Sequence, residues 1–264
     1  MTGQPGLWDG IRIADLDGKA VLITGASTGI GAALVRAFAA QGAEVAIHYN
    51  ESRQAATDLL AEVEGSGGKA VLVQGDVSAD GVTERVVEEA ANHFGRLDGL
   101  INNAGGMLGR VSTAEMSDAH YERVMDLNAR SVLAATRAAH PWLRKQGGFI
   151  INTTSIAARN GGGGGAILYA ASKGFVSTIT RGHAKEFAGD NIRVNAVAPG
   201  VIATPFHDRY TSPDMLDAQR KTVPMGRVGT PEECVGTYLF LASPTLSGYI
   251  TGQIIEVNGG QLMP

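Results

Sequence analysis

Cysteine is almost missing from this chain: Cys234 stands alone among 264 residues, so no internal disulfide can form and a reducing compartment is expected. The opening stretch "MTGQPGLWDGIRIADLDGK" lacks the basic and apolar regions of a secretion signal. No apolar run reaches the roughly 18 residues of a membrane span. The net charge is −4 with both signs interspersed, and no lysine or arginine run supplies the footprint of a nucleic-acid or anionic-membrane binder. The six histidines are scattered without an HxH or HExxH pattern, which argues against a catalytic metal. A GxxxxGK[ST] loop is also missing, which argues against a nucleotide phosphohydrolase. What these absences leave is a cytoplasmic protein acting on a small molecule.

The chain does contain a regular alternation. Runs rich in valine and isoleucine begin "AVLITG" at Ala20, "AEVAIHY" at Ala43, "KAVLVQGD" at Lys69, "LDGLINNAG" at Leu97, "GFIINTTS" at Gly148, "IRVNAVAPG" at Ile192 and "GQIIEVNGG" at Gly252. Between them lie segments of helical spacing, several of which end in glycine. Strands that are apolar almost throughout are buried on both faces. The alternation predicts an α/β Rossmann fold in a single domain, a doubly wound seven-stranded parallel sheet with helices on both faces. No Pro- or Ser-rich linker divides it. The expected layout is an N-terminal arm over residues 1–17 and the domain over 18–264, with a strand-poor stretch at about 201–230 as a substrate lid.

Two short motifs carry chemistry. In "LITGASTGIGAALVRAF" a strand, a glycine-rich turn and a helix start follow in succession from Leu22 to Phe38. Gly25, Gly29 and Gly31 permit a tight turn that, with Ser27, Thr28 and Ile30, brings backbone N–H groups to a pyrophosphate at the positive end of a helix. Far downstream, "YAASK" sets Tyr169 and Lys173 four positions apart, on one face of a helix. A phenol titrates near pH ~10, and a neighbouring ammonium favours its phenolate. Such a pair can pass a proton to or from a carbonyl oxygen. Ser155, closing the fifth strand, is placed to hydrogen-bond the same oxygen, with Thr153 and Thr154 the neighbours most easily confused with it.

The G-x3-G-x-G spacing of the turn, followed in order by "GDVS", "NNAG", "VMDLNARSV", "NTTSIAA", "YAASK" and "APGVIAT", resembles the short-chain dehydrogenase/reductase family over nearly the whole chain. The resemblance implies an adenine contact from Asp76 and Val77, a cofactor wall from Asn103, Ala104 and Gly105, and an embrace of the nicotinamide by Pro199, Gly200, Ile202 and Thr204. It implies Tyr169 as acid/base, Ser155 orienting the carbonyl, Lys173 tuning Tyr169 and binding ribose, and Asn128 supporting a proton-relaying water. It also implies that the lid closes over substrate. A homotetramer is implied as well, joined through the helices around Asn128 and Tyr169 and the strand near Ile254. The pattern is most similar to the branch holding 3-oxoacyl-carrier-protein reductases and sugar or polyol dehydrogenases.

Cofactor choice is read at the end of the second strand, where an acid would accept from the ribose 2′-hydroxyl. Tyr49 and Asn50 are neutral there, and Ser52 and Arg53 stand ready for a phosphate, which favours NADP(H) over NAD(H). Glu51 among them, and Thr28 where many NADP-preferring relatives carry a basic residue, point the other way. Arg123, Arg130 and Arg137, seven apart, form either a dock for an acyl carrier or a solvated or inter-subunit face. The expected activity is hydride transfer between NADP(H) and a carbonyl or secondary alcohol. Alternatives are an NAD-dependent sugar or polyol dehydrogenase, a dehydratase or epimerase using the same residues, and a dinucleotide-sensing regulator without catalysis. The five glycines Gly161 to Gly165, between Ser155 and Tyr169, are expected to form a mobile joint and a roomy substrate entrance.

Overall fold

In chain order the elements are β1 (Ala20–Ile23), α1 (Gly29–Ala40), β2 (Glu44–Tyr49), α2 (Arg53–Gly65), β3 (Lys69–Gln74), α3 (Val82–Phe94), β4 (Gly99–Asn102), α4 (Asp118–Met125) and α5 (Ser131–Leu143). There follow β5 (Gly148–Thr153), α6 (Ala157–Asn160), α7 (Ile167–Phe187), β6 (Ile192–Pro199), α8 (Pro205–Tyr210), α9 (Pro213–Lys221), α10 (Pro231–Ala242), α11 (Pro244–Ser247) and β7 (Ile254–Val257). The structure, a computed structural model, describes residues 10–264, so the arm expected over 1–17 lies largely outside the described residues.

The strands pair in parallel in the order β3-β2-β1-β4-β5-β6-β7. Their apolar residues alternate between two helical layers. Val21, Ile23, Val45 and Ile47 pack with Phe38 of α1, Leu59 of α2 and Leu239 of α10. The intervening Leu22 and Ala46 join Val86 of α3, Ala139 of α5 and Phe187 of α7 on the opposite face. Because both layers are filled, no polar face survives along these strands. Leu16 is 1% exposed within the first layer, so the packed chain begins ahead of residue 18. Among the described residues no helix is long and apolar enough to cross a membrane.

From β1 the chain winds outward to β2 and β3, then returns to pair β4 on the other side of β1. Such a reversal opens a crevice beyond the carboxyl ends of the two central strands. A buried polar chain braces the sheet behind it: Asn102 donates to Asn152 Oδ1 at 2.8 Å, and Asn152 donates to Thr180 Oγ1 of α7 at 2.9 Å. The ladders stop slightly earlier than the sequence suggests. With β3 closing at Gln74 and β5 at Thr153, Asp76, Val77 and Ser155 lie on the loops just beyond, where their side chains are released from the sheet toward the crevice. Between α4 and α5 a π-helical turn, Asp126–Arg130, carries Asn128.

Candidate active site

The crevice is a cleft of about 890 Å³. The glycine turn forms its floor, and close approach explains two of its glycines. Gly25 has φ +61°, and a Cβ there would lie 2.8 Å from the Ala104 Cα. A Cβ on Gly31 would run into the carbonyl oxygen of Gly25 and stand 2.8 Å from both Ala26 Cα and Asn103 Nδ2. Asn103 donates through Nδ2 to the carbonyls of Thr24 at 3.0 Å and Gly25 at 2.9 Å, which locks the turn onto the loop after β4.

His48, buried one residue before the end of β2, completes the lock. Its Nδ1 accepts from the Gly25 N–H at 3.0 Å, which leaves Nε2 to donate to the Gly75 carbonyl at 2.9 Å. Burial pushes this imidazole down from its ordinary value, so the neutral form is kept. Sequence reasoning did not select His48; an imidazole within the run of apolar residues Val45 to Tyr49 is its only signal.

Of the cofactor residues expected from the sequence, all but Gly31 and Arg53 line the cleft. Gly31 faces the turn, not the cavity, and serves close packing. Arg53 stands behind Tyr49, its Nε donating to the Tyr49 hydroxyl at 3.4 Å, while Glu51 does line the cleft. The glycine-rich turn at the start of α1 and the approach of Thr204, whose Cγ2 would be 3.2 Å from a Cβ on Gly29, fit a dinucleotide laid across the floor.

Across the cleft, Ser155, Tyr169 and Lys173 come together. Tyr169 sits in the first turn of α7, so Lys173 follows one turn later with its Nζ 5.8 Å from the Tyr169 ring centroid. Lys173 is 3% exposed and donates to the Thr153 carbonyl at 2.8 Å. The neighbouring hydroxyls are committed elsewhere: Thr153 bonds the Tyr238 hydroxyl at 2.8 Å, and Thr154 donates to the Lys173 carbonyl at 2.8 Å. Ser155 Oγ accepts from the Ala157 N–H at 3.1 Å, and its hydroxyl is left to face the Tyr169 phenol.

Asn128 does not line the cleft. Its Nδ2 donates to the carbonyls of Gly106 and Val124, both at 2.8 Å, and its Oδ1 accepts from the Gly106 N–H at 3.0 Å. Both amide hydrogens are therefore taken, and the side chain clamps the loop after β4.

The electrostatics also differ from the simple expectation. Burial pushes the Tyr169 phenol up to about 12, with the Ser155 hydroxyl acting in the opposite sense. Burial pushes the Lys173 ammonium down to about 8. At 5.8 Å the ammonium does not overcome the desolvation of the phenol, so the group is a strong holder of its proton.

The glycine tract is tethered. Val111 N–H donates to the Gly165 carbonyl at 3.0 Å and Arg110 to the Gly164 carbonyl at 2.8 Å. At Gly165, φ is +70° and a Cβ would lie 2.9 Å from that of Arg110, so the crossing needs glycine. Of the three arginines considered as a dock, Arg130 pairs with Asp80 and Asp126 and Arg137 pairs with Glu84; Arg123 has no ion pair among the described residues.

A parallel sheet with this switch point and this turn is the architecture of a dinucleotide-binding Rossmann domain, and known proteins narrow the class. Residues 25–261 match the family model described as enoyl-(acyl carrier protein) reductase. The 3-oxoacyl-[acyl-carrier-protein] reductase FabG of Thermotoga maritima is 39% identical over 93% of this chain and 98% of its own. The crystal structure of NADH-dependent reductase A1-R′, responsible for alginate metabolism, superimposes with a TM-score of 0.88 at 42% identity, covering 95% of this chain and 100% of that one. It has also been solved complexed with NAD. A short-chain dehydrogenase from Burkholderia cenocepacia in complex with NADP gives a TM-score of 0.88 at 33% identity, covering 94% and 99%. The chain belongs to the short-chain dehydrogenase/reductase family and is an NAD(P)-dependent oxidoreductase.

Proposed function

We propose that the protein reduces a carbonyl to a secondary alcohol, or runs the reverse, with NADP(H) preferred. The observation that carries this reading is the convergence of the Ser155 hydroxyl, the Tyr169 phenol it faces and the buried Lys173 on the cleft wall across from the glycine turn. The turn from Gly25 to Ile30 would hold the pyrophosphate, Lys173 the ribose, and the loop through Thr204 the nicotinamide end. When bound, the nicotinamide supplies the hydride in reduction and accepts it in oxidation.

The chain's own groups do the rest. Ser155 donates to the carbonyl oxygen and holds it beside Tyr169, and Tyr169 gives that oxygen its proton. A phenol pushed up to about 12 is fully protonated at neutral pH, which suits reduction. Lys173, fixed on the Thr153 carbonyl, offsets the phenolate left behind. Asn128 acts as a positioning residue through Gly106. A dinucleotide-sensing regulator would need the cleft but not this acid.

Three observations support NADP(H). Tyr49 and Asn50 at the end of β2 are neutral and line the cleft. The Ser52 hydroxyl makes no cap bond at the start of α2, and Arg53 is anchored to Tyr49 with its terminal nitrogens free. Fluorescence titration is expected to give NADPH a Kd about 10-fold or more below that of NADH, as one charge-assisted phosphate contact supplies. Arg53→Ala should erase most of that difference; tighter NADH binding to the unaltered protein would overturn it and assign Glu51 to the ribose.

The proposal keeps a cytoplasmic setting and a homotetramer. Leu133 on α5 and Tyr121 on α4 are exposed apolar side chains, and β7 is an edge strand. Sedimentation should report four chains, and a monomer at micromolar concentration would contradict this. With Arg130 and Arg137 already paired, little free charge is left for an acyl carrier on that helix face.

A further inference from the structure

Arg110 links the two segments that wall the space above Tyr169. Its Nε donates to the Tyr210 carbonyl of α8 at 2.8 Å, and a terminal nitrogen donates to the Gly164 carbonyl of the glycine tract at 2.8 Å. Phe206 of the same helix lies against Tyr169, with ring centroids 5.5 Å apart. Both partners of Arg110 are neutral carbonyls, so its charge is uncancelled and one terminal nitrogen stays free at the cleft. That charge is felt locally. His207, also on the cleft wall, is pushed down by burial first and by Arg110 second, with Asp208 acting against both.

Arg209 lines the same cleft, exposed and without an ion pair among the described residues. The carboxylates among the described lining residues are Glu51 and Asp76, which follow β2 and β3 at the adenosine end. Asp208 is exposed and is not part of the lining. The substrate end is therefore positive, with no acid facing it.

A second feature lies on the wall made by α9 and the C-terminal turn. Thr222 Oγ1 donates to the Gln219 carbonyl at 2.7 Å, so the same oxygen must accept from Gln261 Nε2, also at 2.7 Å. This fixes the Gln261 amide with its oxygen as the uncommitted group. That Oε1 is buried, has no partner, and belongs to a residue lining the cleft; the Gln219 Oε1 is in the same condition. A buried acceptor without a donor is costly, and a rotation of the side chain toward the cleft would let a ligand hydroxyl satisfy it.

We propose that the substrate is a hydroxylated carbonyl compound bearing a carboxylate, an oxo acid of the sugar-acid type. Arg110 and Arg209 take the carboxylate, Gln261 accepts from a hydroxyl, and the reacting carbonyl rests on Ser155 and Tyr169. The assignment rests on the carbonyl-reductase reading above.

The test compares kcat/KM for oxo sugar acids, such as 5-keto-D-gluconate, with their uncharged ketose counterparts, such as D-fructose, by following oxidation of the reduced nicotinamide. The acids should be favoured by roughly 10- to 100-fold, as charge-assisted contacts imply, and the advantage should shrink with added salt. Arg110→Met should collapse the acid-to-neutral ratio chiefly through KM, and Arg110→Lys should restore part of it. Arg209→Met, on an exposed residue, should lower the ratio in the same direction even if Arg110→Met fails to fold. Equal or better use of the neutral ketoses by the unaltered protein overturns the inference and leaves the reductase reading standing. No turnover of either series, with cofactor still bound, overturns the inference and leaves the reductase reading to the deuterium-transfer test on other carbonyl classes.

Discussion

Tyr169→Phe is expected to lower carbonyl reduction by about 10²- to 10⁴-fold, the range for a lost general acid, while cofactor affinity stays within about twofold. The substitution removes one hydroxyl and keeps the ring that packs against Phe206. Lys173 remains bonded to Thr153, and Ser155 remains available to the carbonyl. A loss confined to kcat therefore reports the missing proton and not a rearranged cleft. The pH profile gives a second reading. Burial holds the Tyr169 proton up to about 12 and lowers Lys173 to about 8, so below pH ~8 both groups carry their protons. Reduction should be flat there and decline as pH rises through about 8, where Lys173 loses its charge. A profile that instead rises through that window would show that the neutral lysine is the working form.

Gly31→Val should weaken binding of either nicotinamide dinucleotide by about 10- to 100-fold, which corresponds to the 1–3 kcal/mol typical of overpacking. The valine would press on the Gly25 carbonyl, Ala26 and Asn103, the three groups that hold the turn in place. The same strain should lower the melting midpoint by about 2–4 °C for each kcal/mol lost. The measurements are a cofactor titration and a thermal scan on the same variant. Unchanged affinity would mean that the turn can shift without affecting the dinucleotide site, against the packing described for it.

The sheet was legible because its strands announce burial on both sides: Val21, Leu22 and Ile23 are all apolar, and each is 0% exposed in its own layer. The glycine turn and the Tyr169–Lys173 spacing were legible because their parts are close in sequence. What escaped depends on contacts between distant segments. Arg110 meets Gly164 across 54 positions, which turns the expected loose glycine joint into a tethered one. His48 meets Gly25 across 23 positions, and Asn128 meets Gly106 across 22. Arg53 has the right chemistry for a phosphate, but its Nε is turned to the Tyr49 hydroxyl, a bond between side chains that the sequence does not show and that leaves only the terminal nitrogens for a phosphate. The direction of the Tyr169 shift escaped for another reason. Pair spacing shows the ammonium, whereas desolvation belongs to the whole fold and prevails at this distance.

The central claim is that this chain transfers a hydride between a nicotinamide and a carbonyl carbon. Its most direct test uses reduced cofactor carrying deuterium on the transferring face of nicotinamide C4, with the product analysed by NMR. The account predicts deuterium on the new carbinol carbon, in one configuration and in proportion to cofactor oxidised. Product formed without deuterium, or with no net oxidation of cofactor, would contradict it and point to dehydration or epimerisation in the same cleft.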